Sequence, residues 1–206
     1  MRPALLATPL RARLAVAALL VVASACASGG GASFVPPSRP ADFSLAGIPW
    51  GITADSVTSL VERRGYNYNR TDSDGDMWFD GVLFHSPTRV YAFMAEEQLV
   101  KFRVHIGSAD QDVLAVYQNA RAELVRQYGT PKETVERYSA PYKKGDKKEL
   151  EALKARKADV ATYWVLEGGR RPSLVAVRLT DELTVVVDYE GPAWQRESVK
   201  RRRAAN

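Results

Sequence analysis

The chain holds a single cysteine, Cys26, and only two histidines, His85 and His105. One thiol excludes an internal disulfide, so the fold has to rest on an apolar core rather than on covalent cross-links. The histidines lack the i, i+4 spacing of a helical metal pair and have no cysteine beside them, which makes a poor zinc site. No Gly-x-Ser-x-Gly turn, phosphate-cradling glycine loop or dinucleotide fingerprint occurs. No catalytic, cofactor-binding or metal-ligating set is therefore assigned from sequence. Long apolar runs are missing as well: residues 14–25 fall short of the roughly 20 residues that a spanning helix needs. Concentrated basic charge is the last absence. Arg2, Arg11 and Arg13 supply three of the five net positive charges, so the chain beyond residue 26 carries only +2. That balance argues against nucleic acid as a partner.

What is present begins with a leader. Residues 1–13 contain those three arginines and no acid, the apolar run follows, and it closes on Ala23-Ser24-Ala25 directly before Cys26. This is the pattern of a secretory signal peptide. A sole cysteine after small residues resembles the bacterial lipobox, in which the thiol is acylated and becomes the new N-terminus. Residues 1–26 thus read as a lipoprotein signal, and Cys26 as the lipid attachment site and membrane anchor. The position three before the cysteine is Ala23 where lipoboxes commonly carry a larger aliphatic. Ala27 is not the aspartate linked to inner-membrane retention, so the expected location is the outer membrane, facing the periplasm.

Residues 27–42 hold Gly29-Gly30-Gly31 and three prolines with little to bury, and read as a flexible, then semi-extended tether. A globular domain is expected over 43–195. Thr53 as N-cap, Asp55 in the first turn, an Ile52/Val57 staple and Gly65 as the left-handed closing residue predict a helix over 53–64. Period-two runs then predict strands at 66–71, 77–84, 89–94 and 98–106. In the last of these, Val100, Phe102, Val104 and Ile106 alternate with Lys101, Arg103 and His105, so one sheet face is buried and the other wetter. A capping box of Ser108 and Gln111 opens a second helix over 109–128, ended by Gly129, and strands return at 134–138, 160–167, 174–179 and 183–189. The expected fold class is α+β. Two helices pack on one face of a largely antiparallel sheet of roughly seven or eight strands, as a helix-then-meander pseudo-repeat spaced by about 60 residues.

Two segments fall outside this grammar. Residues 143–157 carry seven basic and three acidic residues with only Leu150 and Leu153 as large apolar side chains, and read as an exposed helical hairpin arm or a solvated loop. Residues 196–206, with Lys200-Arg-Arg-Arg203, read as a basic disordered tail. Asp72, Asp74 and Asp76 invite comparison with a calcium loop, but glycine falls at the wrong position and Leu83 stands where the bidentate glutamate belongs. The same residues suit a turn. Among the tryptophans, Trp164 reads as core, Trp50 and Trp194 bracket the domain, and Trp78 follows the acidic turn.

The leader, the tether, and Gly47-Ile-Pro-Trp-Gly51-Ile-Thr53 running into a capped helix that closes on Arg64-Gly-Tyr66 together resemble small envelope lipoproteins. The nearest groups are the SmpA/OmlA-like accessory lipoproteins of outer-membrane β-barrel assembly and the β-lactamase-inhibitor-protein-like fold. The resemblance covers the leader and about residues 43–130. It implies helices on one face of an antiparallel sheet, in two tandem copies for the inhibitor-like proteins. This chain lacks the disulfide often seen there and adds the arm at 143–157, and no site residue carries over. The expected function is a lipid-anchored, non-catalytic, protein-binding accessory or scaffold with an envelope protein as partner. The alternative is a small periplasmic hydrolase, or a binder of lipid or peptidoglycan fragments.

Overall fold

The computed structural model describes residues 43–107, 112–166 and 173–204. Its elements are α1 (Ala54–Glu62), β1 (Asn67–Thr71), β2 (Met77–Leu83), β3 (Ser86–Ala95), β4 (Gln98–Ile106), α2 (Val113–Tyr128), β5 (Glu133–Tyr138), α3 (Glu149–Lys154), β6 (Ala158–Leu166), β7 (Ser173–Leu179), β8 (Val185–Glu190) and α4 (Trp194–Ala204). All eight strands form one antiparallel sheet in the order β1-β2-β3-β4-β8-β7-β6-β5. The fold is α+β. Two four-stranded meanders, each preceded by a helix, meet where the last strand of one pairs with the last strand of the other.

The seam between β4 and β8 shows why the sheet has two unlike faces. Phe102 sits opposite Tyr189, Val104 opposite Val187 and Ile106 opposite Val185, and all six are buried on the face that α1 and α2 cover. A period of two places the alternating pairs, Lys101 with Glu190 and Arg103 with Asp188, on the other face. Phe102 is therefore inward, as its pattern predicts, and Trp164 is core, its indole N–H donating to the Gly129 carbonyl at 2.8 Å. On α2, Tyr117, Ala120 and Leu124 form the buried stripe with Val116 and Tyr128. The Tyr117 hydroxyl lies 3.1 Å from the Thr162 hydroxyl, and the Tyr128 hydroxyl donates to the Ser44 carbonyl at 3.2 Å.

Helix starts and stops follow the physics of unpaired backbone ends, with adjustments. α1 begins after Thr53 and stops at Glu62 rather than at 64; Gly65, at φ 86°, turns the chain. The N-cap of α2 is Asp112, whose carboxylate accepts from the N–H groups of Leu114 and Ala115, so the helix begins at Val113. The predicted cap pair Ser108 and Gln111 lies outside the described residues.

Two expectations need correction. The arm at 143–157 is not wholly exposed. It contains α3, which packs on β6 with Ala152 and Leu153 fully buried, so one turn of apolar spacing suffices to dock it. The basic tail is not disordered through 196–204. It forms α4, held on the polar face of the sheet by ring and ion contacts from Trp194 and Arg201 in place of an apolar stripe, with Glu197 bracing Arg201 within the helix. Among the described residues no helix is long and apolar enough to cross a membrane.

Candidate functional site

Lys101, Arg103 and His105 point from β4 to the face opposite α1 and α2, flanked by Phe93, Tyr91 and Arg89 on β3 and by Glu190, Asp188 and Val186 on β8. Lys101 is 2% exposed. A buried ammonium is tolerated only with close counter-charges, and it has two. Its Nζ lies 2.9 Å from Asp188 and 2.8 Å from Glu190, and it sits 4.5 Å from the centre of the Trp194 ring. Asp188 is likewise shielded. Besides Lys101 it accepts two bonds from Arg103, at 2.8 and 3.3 Å, and lies 3.2 Å from Arg178 on β7. Burial pushes the Asp188 carboxyl up, but the Arg103 hydrogen bonds and the charges of Lys101 and Arg103 outweigh it and hold the group below the usual carboxylate range.

Beside this charge cluster runs a row of half-buried rings. Trp78 and Tyr91 meet edge to face at 4.8 Å, Tyr91 and His105 lie 4.9 Å apart, and the Arg70 guanidinium stands 3.7 Å over Trp78. At the far end Arg89 donates to Asp80 at 2.9 Å, and a shallow hollow of about 380 Å³ opens between this pair, Tyr91 and His105. Burial, then the nearby Arg103 charge, lowers the His105 pKa and favours its neutral form. No helix lies over this part of the face among the described residues.

α4 covers the other end. Its Trp194 ring packs 5.4 Å from Phe93, and Arg201 binds Asp76 in two-pronged fashion, at 2.5 and 3.0 Å, while also donating to the Met94 carbonyl at 2.6 Å. Asp76 in turn accepts from Met94 N–H, and Asp72 accepts from the N–H groups of Asp74 and Asp76. Two carboxylates of the calcium-like stretch are thus occupied with closing the β1–β2 turn and holding α4.

Of the residues singled out from sequence, Cys26 lies outside the described residues. His85 is exposed in the β2–β3 turn and His105 is half-buried on β4; no hydrogen bond joins them among the described residues. Sequence reasoning missed the Lys101–Asp188 cluster. A signal existed: two cations two apart on β4 and two acids two apart on β8 are what a shared strand face requires. Comparison with protein families, with curated proteins and with solved structures finds no match to this chain.

Proposed function

We propose that this chain is a lipid-anchored accessory protein of the bacterial envelope, fixed to the membrane through Cys26, that works by binding another envelope protein rather than by chemistry. The observation that carries this reading is the face formed by Arg70, Trp78, Tyr91, His105 and Arg103, which lies open opposite the helix-covered core. Aromatic and arginine side chains are the types that concentrate binding energy at protein interfaces, and here they stand on four adjacent strands, from the edge strand β1 to the central β4, already ordered by ring stacking and ion pairs. Little side-chain entropy remains to be lost on association. The arginines at both ends of the row suit a partner whose surface sets carboxylates around an apolar centre. Anchoring confines the domain near membrane-associated partners and raises their effective concentration. The resemblance of the leader and lead-in to small envelope lipoproteins points the same way.

The test is site-specific photo-crosslinking in cells from position 91, with position 59 on the exposed side of α1 as control. A discrete adduct from Tyr91, absent from Ser59 and lost in Cys26→Ala, is expected. Equal adducts from both positions, or none from Tyr91 in a folded and anchored protein, would sink the proposal.

A further inference from the structure

α4 is pinned by one side and presents the other. Trp194, Glu197 and Arg201 face the sheet at helical spacing, whereas Arg196, Val199, Lys200 and Arg203 share the outer face. Lys200 pairs with Glu96 at 3.0 Å, a solvent-exposed and weak pair, and the Arg196 charge also acts on Glu96. A helix that is polar all round has no stripe to bury, so its place is set by the inward contacts alone. The result is a rigid ridge of positive charge. The base of this ridge is fastened to the turn at Trp50 and Gly51 and to β4. Gly51 N–H donates to the Leu99 carbonyl, Gly191 N–H donates to the carbonyl of the next residue, Val100, and Trp194 N–H donates to Gly191. The Trp50 ring lies so close over Gly191 that a Cβ there would come within 2.7 Å of it. The lead-in that follows the tether and the start of α4 are thus locked together at one end of β4.

We infer that the outer ridge of α4 is a contact site for the anionic head groups of the membrane that carries the anchor. The inference rests on the lipid-anchor reading of Cys26. An anchor keeps the domain within reach of lipid phosphate, and each lysine or arginine near an anionic surface adds a favourable increment that salt screens. The contact fixes how the domain stands on the membrane. α4 touches the bilayer, and the ring-bearing sheet face beyond it is held in a set orientation toward other envelope proteins.

The experiment uses the mature protein purified from membranes and added to preformed vesicles of phosphatidylcholine, with or without phosphatidylglycerol. Intact mass first reports whether Cys26 is acylated; an unacylated protein overturns the anchor reading and this inference with it. For the acylated protein, tryptic cleavage within 196–203 is followed against cleavage within 143–157. Cleavage in α4 is expected to slow roughly tenfold or more on the anionic vesicles, to recover in high salt, and to leave the arm unaffected. A triple variant, Arg196→Gln, Lys200→Gln and Arg203→Gln, keeps the inward contacts and should lose cleavage sites and selective vesicle protection alike. Its remaining Arg201 and Arg202 sites should be cut equally on both vesicle types. Equal cleavage of wild-type α4 on both vesicle types overturns the ridge proposal while leaving the anchor standing. Protection by soluble polyglutamate but not by anionic vesicles also overturns it and reassigns the ridge to an acidic protein.

Discussion

At Asp188 three cations converge on one carboxylate that water barely reaches, and the arrangement makes sense only as a set. Removing the acid leaves the buried Lys101 ammonium with Glu190 as its remaining counter-charge, so Asp188→Ala is expected to cost about 3 kcal/mol in urea unfolding. Arg103→Ala, which the alternation pattern alone would treat as a neutral surface change, should cost about 1 kcal/mol, because two bonds to Asp188 are lost but the site is partly solvent-screened. Phe102→Ala on the opposite face should cost about 3–5 kcal/mol as a core truncation. The ionisable groups give the stability curve its shape. The folded Asp188 pKa lies below its unfolded value of about 3.9, so its contribution is present above that pH and is lost as pH falls through the folded value. The Tyr128 phenol is pushed up to about 12 by burial. Its unfolded counterpart ionises near 10, so that contribution is intact below pH 10 and is lost as pH climbs toward 12. Thermal melts across pH should fall at both ends. Asp188→Asn should flatten the acid limb, and Tyr128→Phe the alkaline one; an unchanged alkaline limb in Tyr128→Phe would remove that phenol as a cause.

Among the elements, those with local signals were legible and those without were not. α1 carries its N-cap residue, its apolar spacing and its closing glycine within a dozen residues, though the Thr53 hydroxyl bonds Ser56 Oγ rather than a backbone N–H, and β4 shows unbroken alternation, so both stand close to where the pattern puts them. α4 gives no such signal. Its only large apolar anchor is Trp194, and the charges that hold it, Asp76 and Glu96, lie about a hundred residues away in sequence. A basic tail and a docked basic helix therefore look alike until the sheet is built. The docking of α3, not its helicity, was hidden for a related reason, since Leu153 and Ala152 are all that it buries fully. The hairpin turns were visible as turns, but not their conformation. Glu96 and Glu97 both take positive φ, 51° and 62°, which asparagine and glycine adopt with less strain. Glu97→Gly, which spares the Glu96–Lys200 pair, should stabilise by roughly 0.5–1 kcal/mol. Gly191→Ala should do the reverse. Its Cβ would come within 2.7 Å of the Trp50 ring and 2.9 Å of the Val100 carbonyl, so a loss of about 1–3 kcal/mol is expected, with Trp50 fluorescence shifted by the displaced ring.

For the molecule as a whole, the strand order β1-β2-β3-β4-β8-β7-β6-β5 amounts to two like halves related by a local two-fold at the β4–β8 seam. The helix-then-strands rhythm of the sequence made the repeat visible. The seam was not, because which strands meet is a long-range choice that local pattern does not encode. The seam also assembled the candidate binding face, since its rings come from the first half and half of its charge cluster from the second. Each half loses part of its cover once separated. Phe102, Val104 and Ile106 pair across the seam with Tyr189, Val187 and Val185, and among the described residues Lys101 is neutralised by acids of β8. The described domain is therefore expected to unfold as one cooperative unit rather than half by half. Fluorotryptophan labelling reports this directly: Trp78 belongs to the first half, Trp164 to the second, and Trp50 and Trp194 flank the seam. In a urea titration followed by fluorine NMR, all four native resonances should fade over the same concentration range. Asp188→Ala should move them together, because the seam holds both halves. Loss of the Trp164 signal while that of Trp78 persists would show that the halves are separate folding units, and that the open face can lose its charge cluster without losing its rings.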